Sequence, residues 1–347
     1  MIKSTSYTKE WIYKLKEEKQ KIDPGICEKM ILALGLLEQL VLHKLDFVFK
    51  GGTSLILLID DPQRFSIDID VDTETSKNDI VQILDKISKS GLFKRYKEHT
   101  RKERGIPKNH FKFYFDSVIN NKENFILLDV LYHNHSYPEI IQTPIKSFWI
   151  DTDENTVMVT TPTIDSILGD KMTAFAPNTT GVPYNINKSM EIVKQLFDVG
   201  RLFDLVNNFN IVTESFLAIV KEEIKFRGNK NSIDDVLNDI IETSLIIAEL
   251  PKQETPQAKE ILKGLKQFSI FPIGIRYRVE DSIISSSKAS YLASKTLNKD
   301  LTPIERYSKD KKQEIYDFPS EYRILSKLRR RIPEAYFYWI KAIELSI

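Results

Sequence analysis

The stretch from Asp46 to Asp72 narrows the choice of fold more than any other part of the chain, because a tight glycine turn stands just ahead of repeated carboxylates. Its first half, Asp46-Phe47-Val48-Phe49-Lys50-Gly51-Gly52-Thr53-Ser54-Leu55, reads as a short apolar strand that stops at two glycines and two hydroxyls. Such a turn offers backbone N–H groups to phosphate oxygens. The second half, Arg64-Phe65-Ser66-Ile67-Asp68-Ile69-Asp70-Val71-Asp72, reads as another strand. Alternation puts Ser66, Asp68, Asp70 and Asp72 on one face and Ile67, Ile69 and Val71 on the other. Carboxylates crowded on one strand face repel, and a hard divalent cation bound through oxygen relieves the repulsion. A phosphate cradle followed by a cation-binding strand is the equipment of nucleotide chemistry.

With 347 residues, 41% of them hydrophobic and 29% charged, the chain has enough apolar content for two globular domains. Fifty Lys plus Arg against 49 Asp plus Glu leave a net charge of +1, so only local patches could attract nucleic acid or a membrane. The single cysteine, Cys27, excludes an intrachain disulfide or a multi-cysteine zinc site and fits a reducing cytoplasm. No signal-like N-terminus and no apolar run of about 18 residues is present, so a cytoplasmic protein with no membrane span is expected.

Residues 5–21 read as a charged surface helix, and Asp23-Pro24 as the N-cap and first position of an apolar helix that packs on the sheet. Leu55–Ile59 reads as a short helix whose N-terminus adds partial positive charge to the cradle. Asp79–Ser90 is a further helix, closed by Gly91. The basic stretch Lys94–Lys108, with Arg95, Lys97, Arg101, Lys102 and Arg104 around Tyr96 and His99, is either an RNA contact or a solvated strand edge and loop. Phe111, Phe113 and Phe115 alternate with polar neighbours, as in a half-buried strand. Phe125–Tyr132 is a strand whose one charge, Asp129, requires a partner or a cation.

Thr156–Thr160 gives one more strand, and Thr161-Pro162 caps a helix over 163–176. There Lys171 shares an apolar stripe with Ile164, Leu168 and Phe175; it either snorkels to solvent or brings a cation to a triphosphate. The domain boundary falls in the Pro177–Asn187 loop or just before that helix. We take 1–176 as the catalytic domain with its N-terminal helices, and 177–347 as a helical domain contributing to the cleft and to acceptor binding. The second candidate RNA contact is Lys327, Arg329, Arg330 and Arg331 beside Tyr336, Tyr338 and Trp339; a charged helix face followed by an apolar one explains the same pattern.

Gly51-Gly52-Thr53-Ser54-Leu55 followed by Arg64-x-Ser66-x-Asp68-Ile69-Asp70 resembles the AbiEii/AbiGii toxin family of nucleotidyltransferases, within the DNA polymerase beta-like superfamily. Downstream, Asp129 resembles that superfamily's third carboxylate, Gly169-Asp170-Lys171-Met172-Thr173-Ala174 its lysine-bearing helix, and Lys194-Gln195-Leu196-Phe197-Asp198-Val199 its arginine-aspartate-aromatic-aspartate block. Gln195 stands where an acid is common, and the helices beyond carry no matching motif. The resemblance implies an α+β fold, a nucleotidyltransferase-type mixed sheet flanked by helices and followed by a mainly helical C-terminal domain.

It also implies transfer of a nucleoside monophosphate from an NTP to an acceptor with Mg2+ or Mn2+ as the metal. Asp68, Asp70 and Asp129 would be the metal ligands, with Asp129 nearest the acceptor hydroxyl. Gly51, Gly52, Thr53 and Ser54 would hold phosphates, joined by Lys171. Asp198 would position Lys171 or the acceptor, and Arg64 would bind nucleotide or brace the Asp strand. For Asp72 the expectation is a solvated strand end. In this family the acceptor can be the 3′ end of tRNA, and a separate antitoxin accompanies the toxin. The competing readings are transfer to a small molecule or protein, a non-catalytic nucleotide or RNA binder on the same fold, and a sugar-nucleotide glycosyltransferase using Asp68-Ile69-Asp70 as its metal motif.

Overall fold

Apolar residues that alternate along a strand demand a layer of helix over one face of a sheet, and the computed structural model supplies it. The structure describes residues 1–19, 22–99, 107–310 and 315–345; Arg101, Lys102 and Arg104 of the basic stretch lie outside the described residues. The chain divides into two compact units, Met1–Thr163 with Ile270–Arg276, and Ile164–Ser269 with Tyr277–Ile347.

In the first unit a 3-10 turn at Ser4–Tyr7 leads to α1 (Lys9–Glu18) and α2 (Pro24–Leu42), then β1 (Val48–Lys50), α3 (Gly51–Leu58), β2 (Ile69–Thr73) and α4 (Lys77–Ile87). There follow β3 (Arg95–Glu98), β4 (Lys108–Asp116), β5 (Glu123–Tyr132), β6 (Ile140–Pro144) and β7 (Met158–Pro162). Five strands form one mixed sheet in the order β1-β2-β5-β4-β3, and β6 pairs with β7 in a separate ribbon. Among the described strands only β2 and β5 run parallel; the other neighbours are antiparallel.

The register sorts the sheet into two faces. Phe49, Val71, Val130 and, two residues along, Ile69, Leu128 and Phe111 meet across β1, β2, β5 and β4, and all are fully buried. They join the core that contains Met30, Leu34 and Leu37 of α2 and Ile80, Leu84 and Ile87 of α4. Asp23 caps α2 as its residue type and the following proline predict, accepting from the Ile26 N–H at 2.9 Å. Glu28, buried on α2, is tied to the turn after β4 by the Ser117 hydroxyl and the Val118 N–H, each at 2.6 Å.

Several boundaries differ from the sequence reading. α3 begins at Gly51, so the glycines are its first turn rather than a loop ahead of it. β2 begins at Ile69, which leaves Asp68 just outside the strand. α4 ends at Ile87, before the predicted glycine cap, because Ser88 already closes it. β6 carries no clean alternation and was not anticipated; its Ile140 and Ile141 are adjacent and both largely exposed.

The second unit is helical among its described residues: α5 (Ile164–Ala174), α6 (Ser189–Phe203), α7 (Phe209–Phe226), α8 (Ile233–Ala248), α9 (Pro256–Phe268), α10 (Val279–Leu297), a 3-10 segment Ser320–Lys327, α11 (Leu328–Arg331) and α12 (Pro333–Glu344). α10 is its axis, packing on α6, α8 and α12. Its small Ser282, Ser286, Ala289, Ser290 and Ala293 are buried and let neighbouring helices close on it. Tyr336, Tyr338 and Trp339 are core residues of α12, so they are not available to stack on RNA. No described helix is long and apolar enough to cross a membrane.

Because Glu28 satisfies two buried donors with a charged acceptor, Glu28→Ala should destabilise the first unit by about 2–3 kcal/mol. Chemical denaturation followed by circular dichroism measures it, and an unchanged midpoint would contradict the assignment.

Candidate functional site

The face of the sheet opposite α2 and α4 carries the charges. Lys50 on β1 lies opposite Asp70 on β2, Asp70 opposite Asp129 on β5, and Asp129 opposite His110 on β4. Four strands therefore contribute one residue each to a single row: cation, acid, acid, imidazole. His110 Nδ1 lies 2.6 Å from Asp129 Oδ1, which gives Asp129 the partner that its apolar surroundings require. Neither Lys50 nor His110 was assigned a role from sequence, since neither stands near Asp129 in the chain. Only strand register reveals them.

Burial first, and then the negative charges of Asp129 and Asp68, push the Asp70 carboxyl up from 3.8 to about 7; Lys50 and Lys108 act in the opposite sense. Asp68, ahead of β2, is met electrostatically by Lys29 of α2, whose own pKa is lowered by burial and partly restored by Asp68. Asp72, expected at a solvated strand end, is instead 3% exposed and ion-paired with Lys50 at 2.8 Å. The cause is local: Val48 of β1 and Leu131 of β5 flank it in the sheet, so its carboxylate has no open edge to reach.

The glycine turn packs directly on this row. Gly51 has φ +75°, and a Cβ there would collide with the Asp70 carboxylate, so only glycine serves. A Cβ on Gly52 would strike Arg64 Nη2 and crowd Ser66 Oγ, which places both side chains over the N-terminal turn of α3. Arg64 is buried and donates to the Phe65 carbonyl at 3.0 Å. Thr53 and Ser54 are fully buried; their hydroxyls donate to the Asp68 carbonyl at 2.5 Å and the Gly51 carbonyl at 2.8 Å. Thr53 thus ties the helix start to the residue ahead of β2, Ser54 closes back on the first turn of α3, and the donors left at the start of α3 are backbone N–H groups. Ser66, read from sequence as part of an alternating face and of the family motif without a role of its own, lies beside where a Gly52 side chain would be, with Arg64.

Lys171 and Asp198 belong to the second unit. There Lys171 Nζ, almost fully buried, lies 3.1 Å from Asp198 Oδ2 and donates to Gln195 Oε1 at 3.1 Å. The lysine does not snorkel outward. Gln195, which departs from the acid common at that position, is a neutral acceptor for the same ammonium.

Among the described residues no three His, Cys, Asp or Glu side chains are gathered to hold a metal ion by themselves. Magnesium seldom asks for that: it takes one or two carboxylates and fills its octahedron with water and substrate phosphate oxygens. Asp70 beside Asp129, both acid-rich in oxygen and mutually repelling, fit such a cation.

The raised Asp70 pKa makes a pH-dependent stability prediction. Its ionised form is worse accommodated in the folded state, so stability is lost as pH rises from about 4 through about 7. Asp70→Asn cannot ionise. In metal-free buffer the variant should melt above the parent at pH 8, by about 2–4 °C for each kcal/mol relieved, and the gain should vanish near pH 4. A variant less stable at pH 8 would refute the electrostatic account.

A model of the family described as nucleotidyl transferase AbiEii toxin, type IV toxin–antitoxin system, matches residues 35–272. Among solved structures, the chain is similar to a candidate nucleotidyltransferase from H. pylori, at 16% identity and TM-score 0.44, over 79% of this chain and 94% of that one. It is similar to JHP933 from Helicobacter pylori at 16% identity and TM-score 0.44, over 78% and 90%. An antigenic nucleotidyltransferase-like protein from Paracoccidioides brasiliensis aligns at 15% identity and TM-score 0.36, over 58% and 89%. No curated protein matches the chain.

Proposed function

The chain belongs to the AbiEii family of nucleotidyl transferase toxins of type IV toxin–antitoxin systems, and on that premise we propose that it moves a nucleoside monophosphate from an NTP to the 3′ end of an RNA, most simply a tRNA, in a metal-dependent reaction. Family membership makes it a nucleotidyltransferase that uses NTP and has a cognate antitoxin. Metal dependence, the residues and the acceptor are our reading.

The observation that carries this reading is the pairing of Asp70 with Asp129 across parallel strands, bordered by the glycine turn. Such a costly acid pair is retained where its charge is needed. In the proposed site Asp68, Asp70 and Asp129 would hold divalent metal together with phosphate oxygens, and the metal would supply positive charge to offset the negative charge developing on the transferring phosphoryl group.

The protein's own groups do the rest. The backbone N–H groups of Gly52, Thr53 and Ser54 hold the β and γ phosphates, and Arg64 adds positive charge above the same turn. Asp129, whose Oδ1 lies 2.6 Å from His110 Nδ1, is assigned to receive the acceptor hydroxyl's proton. Lys171, oriented by Asp198 and Gln195, is assigned to phosphate charge on its chemistry. The glycosyltransferase reading of Asp68-Ile69-Asp70 gives way to family membership.

Incubation with Mg2+, each labelled NTP in turn and total RNA tests the proposal. Label should enter a small RNA with one preferred nucleotide. Asp70→Ala should lower the rate at least 10^3-fold, which corresponds to about 4 kcal/mol of transition-state stabilisation. Lys171→Ala should cost about 10–100-fold. Labelling by Asp70→Ala at the parental rate would sink the catalytic assignment, and label on protein alone would replace RNA with a protein acceptor.

A further inference from the structure

Along the polar face of the sheet the parts lie in a fixed order. β1 runs from Val48, opposite Asp72, to Lys50, opposite Asp70, and then into the glycine turn. The turn therefore lies at the Asp68 end of β2. At the other end, past Asp72, a cavity of about 240 Å³ opens among Asp46, Val48, Asp72, Glu74, His133 and His135. The acid row stands between turn and cavity.

In-line transfer needs the attacking hydroxyl on the side of the α-phosphorus opposite the leaving pyrophosphate. If phosphates rest on the glycine turn, as proposed above, the cavity is on the attacking side. Its chemistry agrees. Asp46 and Glu74 are exposed carboxylates at the rim, and Asp72 is buried beside Lys50. That lining repels a triphosphate and accepts ring amino groups. His135 Nδ1 is enclosed and has no hydrogen-bond partner among the described residues, which is a cost a ligand acceptor or donor would remove. At roughly 30 Å³ per water, the volume holds about eight waters, the scale of one heteroaromatic base. Asp72 is two residues from Asp70, about 7 Å along the strand. A terminal base in the cavity can thus leave its ribose hydroxyl near the acids.

We propose that this cavity seats the 3′-terminal nucleobase of the RNA acceptor and selects it, leaving the NTP base elsewhere. The proposal rests on the transferase reading and names the acceptor side of that site.

Two variants test it in the full chain. His135→Phe keeps an aromatic ring but removes its nitrogens, and Thr160→Tyr fills the cavity from the ribbon strand β7 that borders it. The probes are four RNA trinucleotides differing only in the 3′-terminal base. In steady-state transfer both variants should raise KM for the preferred trinucleotide at least tenfold, with KM for the NTP within twofold of the parent. Changed NTP preference with unchanged acceptor KM would make the cavity an NTP-base site and overturn the proposal, as would no change in either. Equilibrium binding of the same trinucleotides without NTP separates the two claims. If the parent transfers to nothing, the transferase reading fails. The cavity assignment then stands if the parent binds one trinucleotide and Thr160→Tyr does not, and falls if the parent binds none or binds spermidine in their place.

Discussion

The cross-strand contact between Asp70 and Asp129 is the constraint on which the first unit depends. Two carboxylates placed directly opposite in a sheet destabilise it, and here the cost is offset by groups at either end of the row. Lys50 lies beyond Asp70 and His110 is bonded to Asp129. The arrangement leaves negative charge concentrated in the middle while the ends are compensated. An active centre that receives a cation and a polyanionic nucleotide needs that distribution. The glycine turn belongs to the same constraint, because Gly51 can approach Asp70 only without a side chain.

Sequence revealed the parts whose signals are local. Asp23-Pro24 names a helix start through its own hydrogen bond, and Phe111, Phe113 and Phe115 reveal a strand through spacing alone. α9 begins at Pro256 because Thr255 caps it and a proline suits its first position. What escaped is what register decides. His110 and Lys50 are ordinary residues in the sequence, and they enter the site because β4 and β1 bring them beside Asp129 and Asp70. Asp72 was misplaced for the same reason: alternation gives its face and says nothing of the strands on both sides.

A similar distinction separates the hydroxyls from the backbone. Thr53 and Ser54 after two glycines suggest phosphate contacts, yet each hydroxyl has a nearer acceptor within the protein. The residue types are those of a phosphate turn, but Thr53 clamps α3 against the residue ahead of β2 and Ser54 closes the helix's own first turn. Among the aromatics beside the arginine run, burial decides. Tyr336, Tyr338 and Trp339 carry the apolar side of α12, and none of these three rings is left for a base.

The acid pair is a consequence of the apolar core as much as a feature of the site. Ile69 and Val71 of β2 and Leu128 and Val130 of β5 are completely buried on the face that α2 and α4 cover. A slip of one residue in either strand would turn that strand's two outward and drive its carboxylate into hydrocarbon, at a cost of several kcal/mol. A slip of two would set Asp68 or Asp72 opposite Asp129 in place of Asp70 and unpair the apolar residues at the strand ends. Hydrophobic burial therefore fixes the register, and the register sets Asp129 beside Asp70. The repulsion cannot relax by sliding. It persists in the folded state as a standing demand for positive charge, and the same core that stabilises the sheet maintains it.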